Sequence, residues 1–301
     1  MNRGSIVRKL DRLGFLKGAP SAVLDTHYEV IMGSFAYGVT SDTSDTDVYG
    51  MFIPPLEHVF PHIGGHIPGF GQPPQTVESY QKHHIELKDE GKEYDLALHT
   101  IVKYFSLCRD NNPNMIDSLF VPSRCIIHMS DVGSILRENR RMFLHKGIQK
   151  KLCGYAYAQM KKLRTKKPEP GSRRYDMVQE HGYDVKFAYH VIRLVQQAEM
   201  VLTTGDLILD EEGNRELMKS VRRGDWTLDE IEEWFKRRSA ELETLYIDSD
   251  LQYKPDDDKL KELLFQCLEA HYGSLSNYFN LEGSERVAQD KLKRIRDIIN
   301  E

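Results

Sequence analysis

The pattern of apolar and polar positions changes character near residue 130 of this 301-residue chain. Before that point, short runs of β-branched and aromatic residues bounded by Gly, Pro and Asp predict strands, with a few helices between them. After it, apolar residues recur at helical spacing almost without interruption. The pattern therefore predicts an α+β domain over residues 1–130 and an all-helical domain over residues 131–301.

The individual elements can be placed along the chain from the same pattern. The predicted strands are Tyr28–Met32, Thr46–Ile53 and a hairpin of Gln81–Leu87 and Tyr94–His99. The predicted N-terminal helices are Ser5–Leu16, Ile101–Arg109 and one that begins at Asn112–Pro113, an N-cap residue followed by a first-turn proline. The later helices are predicted over 132–145, 147–164, 183–204, 213–223, 227–247, 256–280 and 284–300.

Composition and charge exclude several classes of protein. The chain has 41 basic and 46 acidic residues, a net charge of −5, so it is not a globally basic nucleic-acid binder. No apolar run approaches the ~20 residues of a membrane span, and no signal peptide is evident, so we expect a cytoplasmic protein without membrane contact. Its four cysteines form no CxxC pair, which favours reduced thiols over disulfides or a zinc site.

A loop rich in proline and glycine is predicted over residues 54–74. It contains His58, His62 and His66 at intervals of four residues, the spacing of metal ligands on one face of a helix. A proline and two glycines interrupt any helix there, so metal binding by these histidines is disfavoured.

The most informative segment lies between Met32 and Gly50. Asp45 and Asp47 are two residues apart, which places both carboxylates on one face of a strand. Such like charges need a cation, and Mg²⁺ is held by one or two carboxylates together with substrate phosphates. Gly33–Ser34 marks an upstream strand-to-helix turn suited to close phosphate approach. Neither an EF-hand nor a P-loop spacing is present, so the segment favours phosphoryl or nucleotidyl transfer; the alternative is a solvated acidic turn.

These residues, within GSFAYG and TSDTDVYGMFIPP, resemble the hG[GS]…DhD signature of the DNA polymerase β-type nucleotidyltransferase superfamily. The longer form is similar to its bacterial and phage branch that includes RNA-ligase-associated members. Asn112–Asp117 is similar to the NPN…E segment of that branch, with Asp in place of Glu, and His181–Leu194 is similar to its HGYDxKxAxHxxR segment. The resemblance implies a polymerase-β-like N-terminal domain, with a mixed sheet and flanking helices, followed by the helical domain.

The resemblance also implies a third carboxylate on a later strand, beside the first two. Asp95 is the expected residue, Glu93 is the alternative on the same face, and a mere hairpin cap is the remaining interpretation of Asp95. The expected catalytic residues and metal ligands are thus Asp45, Asp47 and Asp95, with Mg²⁺, or Mn²⁺ in its place, as the cofactor.

A polar stripe runs along the predicted helix 183–204. Lys186, His190, Arg193 and Gln197 share one face, and none of them is acidic. With Gly33–Ser34, the stripe is expected to bind the phosphates of a nucleoside triphosphate. The alternative is a stripe that faces solvent or a domain interface. Asp184 is expected to begin this helix or to pair with a nearby base.

Seven basic residues and one acidic residue lie in Lys161–Arg174, which its prolines and glycine predict to be a loop. It is either a site for an RNA or tRNA end or a solvated loop. The expected function is transfer of a nucleoside monophosphate from a triphosphate to an acceptor hydroxyl, favouring an RNA or tRNA end. The alternatives are a protein adenylyltransferase and a catalytically silent nucleotide-binding protein of the same fold.

Overall fold

The computed structural model describes residues 4–39, 45–62 and 77–274. Its strands are β1 (Thr26–Ile31), β2 (Thr46–Phe52), β3 (Ser79–Leu87), β4 (Lys92–Thr100) and β5 (Ile126–Met129). Its helices are α1 (Ile6–Arg12), α2 (Leu56–Val59), α3 (Ile101–Arg109), α4 (Pro113–Phe120), α5 (Asp131–Glu138), α6 (Gly147–Thr165), α7 (Arg173–His181), α8 (Val185–Thr204), α9 (Glu212–Arg222), α10 (Leu228–Asp248) and α11 (Asp257–Tyr272). The predicted helix 284–300 and the loop histidine His66 lie outside the described residues.

The five strands form one mixed sheet in the order β3-β4-β2-β1-β5. β2 and β4 are parallel, whereas the other neighbouring pairs are antiparallel. The parallel register sets Asp47 beside Asp95. The sheet therefore brings together two acidic positions that are 48 residues apart in the sequence.

Strand alternation decides which way these acidic side chains face. Val48 and Leu96 are fully buried in a core that covers one side of the sheet and includes Val7 and Leu10 of α1. Because successive side chains of a strand point to opposite faces, Asp47 and Asp95 face the other side, where the later helices lie.

The larger core lies on this second side and continues into the helical region. It contains Tyr28 and Ile101 as well as Val191 and Leu268, so one apolar cluster extends across residue 130. The structure is thus an α+β fold with helices packed on its mixed sheet. A domain boundary at residue 130 stays a prediction.

Several elements have the predicted bounds, and others differ for identifiable reasons. The α3 bounds are confirmed, and Thr100 caps the helix by accepting from the Lys103 N–H. The Asn112 N-cap of α4 is also confirmed. The loop predicted over Lys161–Arg174 is wrong at both ends, because α6 continues to Thr165 and α7 begins at Arg173. Strand β5 was not predicted, because its four residues are too few to show a periodic pattern. It forms a strand by pairing with β1.

The C-terminal region is helical as predicted, but it contains one helix that was not predicted, α7, and two predicted helices are shorter. The helix predicted over 132–145 ends at Glu138, where a 3₁₀ turn over Arg140–Phe143 follows. The helix predicted over 256–280 ends at Tyr272 before Gly273, a residue with a positive φ. Among the helices that the structure describes, none combines the length and apolar character needed to cross a membrane.

Candidate active site

Three carboxylates lie at the start of β2 and the adjoining part of β4. Asp45 immediately precedes β2, Asp47 is its second residue, and Asp95 is the register partner of Asp47 on β4. Adjacent strands are about 4.8 Å apart, so these groups repel one another. Burial is the main cause that raises the pKa of Asp47, and the charges of Asp95 and Asp45 add to it. The arrangement is a concentration of negative charge that a cation would relieve.

Gly33 allows the turn after β1 to lie directly against this acidic group. Its φ of +66° is in the left-handed region, and a Cβ there would lie 2.3 Å from Asp47 Oδ2. The Met32 N–H donates to the Asp47 carbonyl at 2.8 Å and fixes the turn beside β2. The segment that follows is one 3₁₀ turn, Gly33–Phe35, at the place where the sequence predicted a strand-to-helix turn. Glycine is therefore required here both by the backbone conformation and by the carboxylate.

The structure distinguishes the two acidic candidates on β4. The Asp95 side chain is 25% exposed and contributes to the cavity wall with Asp45 and Asp47. Glu93, two residues earlier, contacts the His84 ring instead. The geometry thus favours Asp95 over Glu93 as the third carboxylate.

A cavity of about 900 Å³ separates the carboxylates of β2 and β4 from α7, α8 and α9. All eight residues predicted for the site line it: Gly33, Ser34, Asp45, Asp47, Asp95, Lys186, His190 and Arg193. Four further basic residues line the helical side: Arg174, Lys219, Arg222 and Arg223. The cavity therefore has an acidic floor on the sheet and a basic roof on the helices.

Lys186 and His190 differ in the charge that they present to the cavity. Lys186 is exposed and lines the cavity on α8, and its charge acts to lower the pKa of Asp47. His190 lies one turn further along α8. Burial, followed by the charges of Lys186 and Arg174, lowers the pKa of His190 to about 4. At neutral pH His190 is an uncharged imidazole that can donate one N–H, whereas Lys186 is a cation.

Arg193 is held in a buried ion pair. Its Nη1 donates to Asp117 Oδ2 at 3.1 Å and also to the Tyr37 hydroxyl, and the two charged side chains are only 8% and 2% exposed. Gln197 Nε2 donates to the other Asp117 oxygen at 2.9 Å. Burial raises the pKa of Asp117 and lowers that of Arg193, while the ion pair favours the charged form of each.

This ion pair corrects one expectation drawn from the sequence. The stripe residues have no acidic partner on their own helix, which suggested a bound triphosphate as the counter-charge. Asp117, on α4, supplies that counter-charge for Arg193 and also accepts from Gln197. Asp117 lies within α4, the helix predicted to begin at Asn112–Pro113, and its side chain is buried.

Sequence reasoning missed the basic residues that α7 and α9 bring to the cavity. Arg222 Nη1 donates to the Val39 carbonyl at 2.6 Å, and its guanidinium lies 5.5 Å from the centre of the Tyr189 ring. Arg174 pairs with Asp184 at 3.1 Å. The adjacent Arg222–Arg223 pair was the available signal for α9. Asp184 also accepts from the Lys186 N–H at 2.9 Å, so both roles expected for Asp184 are confirmed.

The mixed sheet sets a glycine turn and paired carboxylates against a helical region. This arrangement is that of a nucleotidyltransferase-like protein of polymerase β type. Residues 11–264 match the model of the family described as the RNA repair pathway DNA polymerase beta family, RlaP. The match covers most of the chain, and the chain belongs to this family. Membership indicates a nucleotidyltransferase activity of polymerase β type.

Solved structures and curated proteins give less information. One solved structure to which the chain is similar is a nucleotidyltransferase-like protein from Exiguobacterium sibiricum, with 14% sequence identity and a TM-score of 0.30. That similarity covers 88% of this chain and 80% of the other. No curated protein matches the chain.

Proposed function

We propose that this chain is a Mg²⁺-dependent nucleotidyltransferase that transfers a nucleoside monophosphate from a nucleoside triphosphate to the hydroxyl of an RNA or tRNA end. The observation that carries the proposal is the opposition of three carboxylates and several basic side chains across one cavity. A volume of about 900 Å³ is within the usual range of small-molecule sites. A triphosphate with its metal matches both charges, because its phosphates face the basic roof and its metal the acidic floor.

The donor set fits magnesium. Asp45, Asp47 and Asp95 offer only carboxylate oxygens, the ligands that Mg²⁺ prefers. Burial, and after it the repulsion from Asp95 and Asp45, raises the pKa of Asp47, and a cation would relieve that repulsion. The absence of a Cβ at Gly33 leaves the Asp47 carboxylate free to keep its position. When bound, Mg²⁺ would neutralise phosphate charge and lower the pKa of the acceptor hydroxyl.

The side chains of the roof have distinct proposed tasks. Lys186 contacts the phosphates as a point charge, and the neutral His190 donates a hydrogen bond. Gly33 and Ser34 bring backbone close to the same phosphates. Arg193 serves as a positioning residue, because its charge is neutralised by Asp117 and it donates to the Tyr37 hydroxyl at the cavity wall.

The choice of RNA as the acceptor rests on the family description and on local charge. The exposed Lys166 and Lys167 lie between α6 and α7, and α7 carries the cavity residue Arg174. Arg164, by contrast, is paired with Glu232 at 2.7 Å. An RNA strand passing along Lys166 and Lys167 would therefore have its end near the cavity mouth.

The direct test supplies the full chain with Mg²⁺, each labelled triphosphate in turn, and either total RNA or a cell lysate. Label on RNA is the expected result. Label on a protein would assign the protein adenylyltransferase activity instead, and absence of label would favour the catalytically silent alternative. Asp45→Asn and Asp47→Asn should each abolish transfer with unchanged far-ultraviolet circular dichroism; full activity in either variant would refute the carboxylate assignment.

A further inference from the structure

The edge strand β3 contains a bulge directly opposite the third carboxylate. Lys82 pairs with Leu96 and Ile85 with Tyr94, so His83 and His84 together oppose the single residue Asp95. His84 has a φ of +56°, a conformation that few residues other than glycine adopt. A bulge redirects side chains that regular pairing would send elsewhere. Here it turns both histidines toward the acidic residues of β4.

The resulting cluster has the composition of a metal site. His84 Nδ1 lies 2.5 Å from Glu93 Oε1, and His83 Nδ1 lies 3.3 Å from Asp95 Oδ2. One ligand atom each from His84, Glu93 and Asp95 can be chosen so that all three lie within 4.8 Å of one another. Ligands bound to one zinc ion at about 2.0–2.2 Å are roughly 3.5 Å apart, so small side-chain rotations suffice to enclose an ion.

We propose that His84, Glu93 and Asp95 form a binding site for a divalent transition metal ion of the zinc class. Imidazole nitrogen is a good ligand for zinc, cobalt and nickel, whereas Mg²⁺ is held by oxygen atoms. The site is thus chemically different from the all-carboxylate floor of the cavity. His83 is positioned to complete the ligand set from the same bulge.

The charges around the bulge favour cation binding. Glu93 and Asp95 bring two negative charges to the cluster, and Asp45 and Asp47 lie at the start of the adjacent strand β2. The His84 side chain is 81% exposed, so an ion can reach the cluster directly from solvent. An ion bound here would tie β3 to β4 through Asp95. The proposal depends on the proposed function only for the role of this shared residue, because metal binding can be measured without catalysis.

The experiment titrates metal-free full-length chain with Co²⁺, a spectroscopic substitute for zinc, and follows its visible absorption. We expect one strongly bound Co²⁺ that Zn²⁺ displaces and excess Mg²⁺ does not. His84→Ala and Glu93→Gln should each weaken Co²⁺ binding by about tenfold or more, since each removes one ligand of a small set. His58→Ala, which alters a histidine outside the cluster, should leave Co²⁺ binding unchanged.

Other results would overturn the proposal. These are no Co²⁺ binding by the wild-type chain, displacement by Mg²⁺ as readily as by Zn²⁺, or unchanged binding in the His84 and Glu93 variants. A loss confined to His58→Ala would place the metal outside the bulge and would also refute it. If His84→Ala did not fold, Glu93→Gln, which keeps the side-chain shape, decides the question. A chain that binds Co²⁺ and transfers no label would refute the proposed function and leave the metal site standing.

Discussion

Removal of the Asp117 carboxylate should destabilise the protein severely. The side chain is 2% exposed and accepts from Arg193 at 3.1 Å, from Gln197 at 2.9 Å and from the Tyr37 hydroxyl at 2.5 Å. Asp117→Ala would leave a buried guanidinium without its counter-charge. Breaking a buried pair by removing one partner costs about 3–5 kcal/mol, so we expect a loss of that size in the free energy of unfolding. This is a large part of the roughly 5–15 kcal/mol that stabilises a typical folded protein.

Urea denaturation followed by circular dichroism measures this loss, with Asp110→Ala as the control. Asp110 is 55% exposed and pairs with Arg109 at 3.5 Å, so its removal should cost no more than about 1 kcal/mol. The double variant Asp117→Leu/Arg193→Met should recover most of the loss, because it removes both buried charges together. The reasoning would be refuted if Asp117→Ala and Asp110→Ala cost the same, or if the double variant lost the sum of its single losses.

Three further predictions follow from the charges of the cavity and the basic segment. Asp47→Asn should increase the free energy of unfolding of the metal-free protein at pH 7, as measured by urea denaturation. The reason is that the pKa of Asp47 is raised in the folded state, so folding disfavours the charged carboxylate. Asp89→Asn, at an exposed position, should show no comparable gain. The pKa of His190 is about 4 in the folded protein, below its ordinary value of 6.5. Its contribution to stability should therefore be present above pH 6.5 and decrease as the pH falls toward 4. His190→Gln should flatten this part of the pH dependence of the free energy of unfolding, and an unchanged slope would contradict the prediction. Replacing Lys166 and Lys167 with alanine should weaken RNA binding in a salt-dependent way with triphosphate affinity unchanged, as measured by fluorescence anisotropy at two salt concentrations; equal weakening of both ligands would contradict a separate RNA surface.

The sequence was sufficient to predict that Asp45 and Asp47 lie together near Gly33, because the determinants of this arrangement are local. The interval of two residues between Asp45 and Asp47 fixes a common face wherever the segment is a strand. The carboxylates and Gly33 are close in sequence, and the structure places a missing Cβ directly against Asp47. Asp95 is the exception among the floor residues, since its place beside Asp47 depends on strand order, and the family resemblance supplied that information.

Contacts between distant segments explain what the sequence did not reveal. Asp117 and Arg193 are 76 residues apart, and no periodicity relates them. The turn of His84 toward Glu93 depends on a bulge, in which one additional residue changes the face that a side chain meets. Arg222 reaches the cavity because α9 packs against α8, a contact that helix prediction along the chain does not provide.

The buried ion pair also bears on how one helix can carry both a buried cation and an exposed cation that lines the cavity. Lys186 and Arg193 are seven residues apart, two turns of α8, which separates them by about 10 Å along the helix axis on the same face. Asp117 and Tyr37 hold Arg193 in the middle of α8, and Asp184 caps its N-terminal end. The rotation of α8 about its axis is thereby determined, and with it the direction in which Lys186 extends over the carboxylates. The long, flexible side chain of Lys186 can place its charge over the cavity only if the backbone that carries it is fixed. The buried ion pair of Arg193 contributes to fixing that backbone.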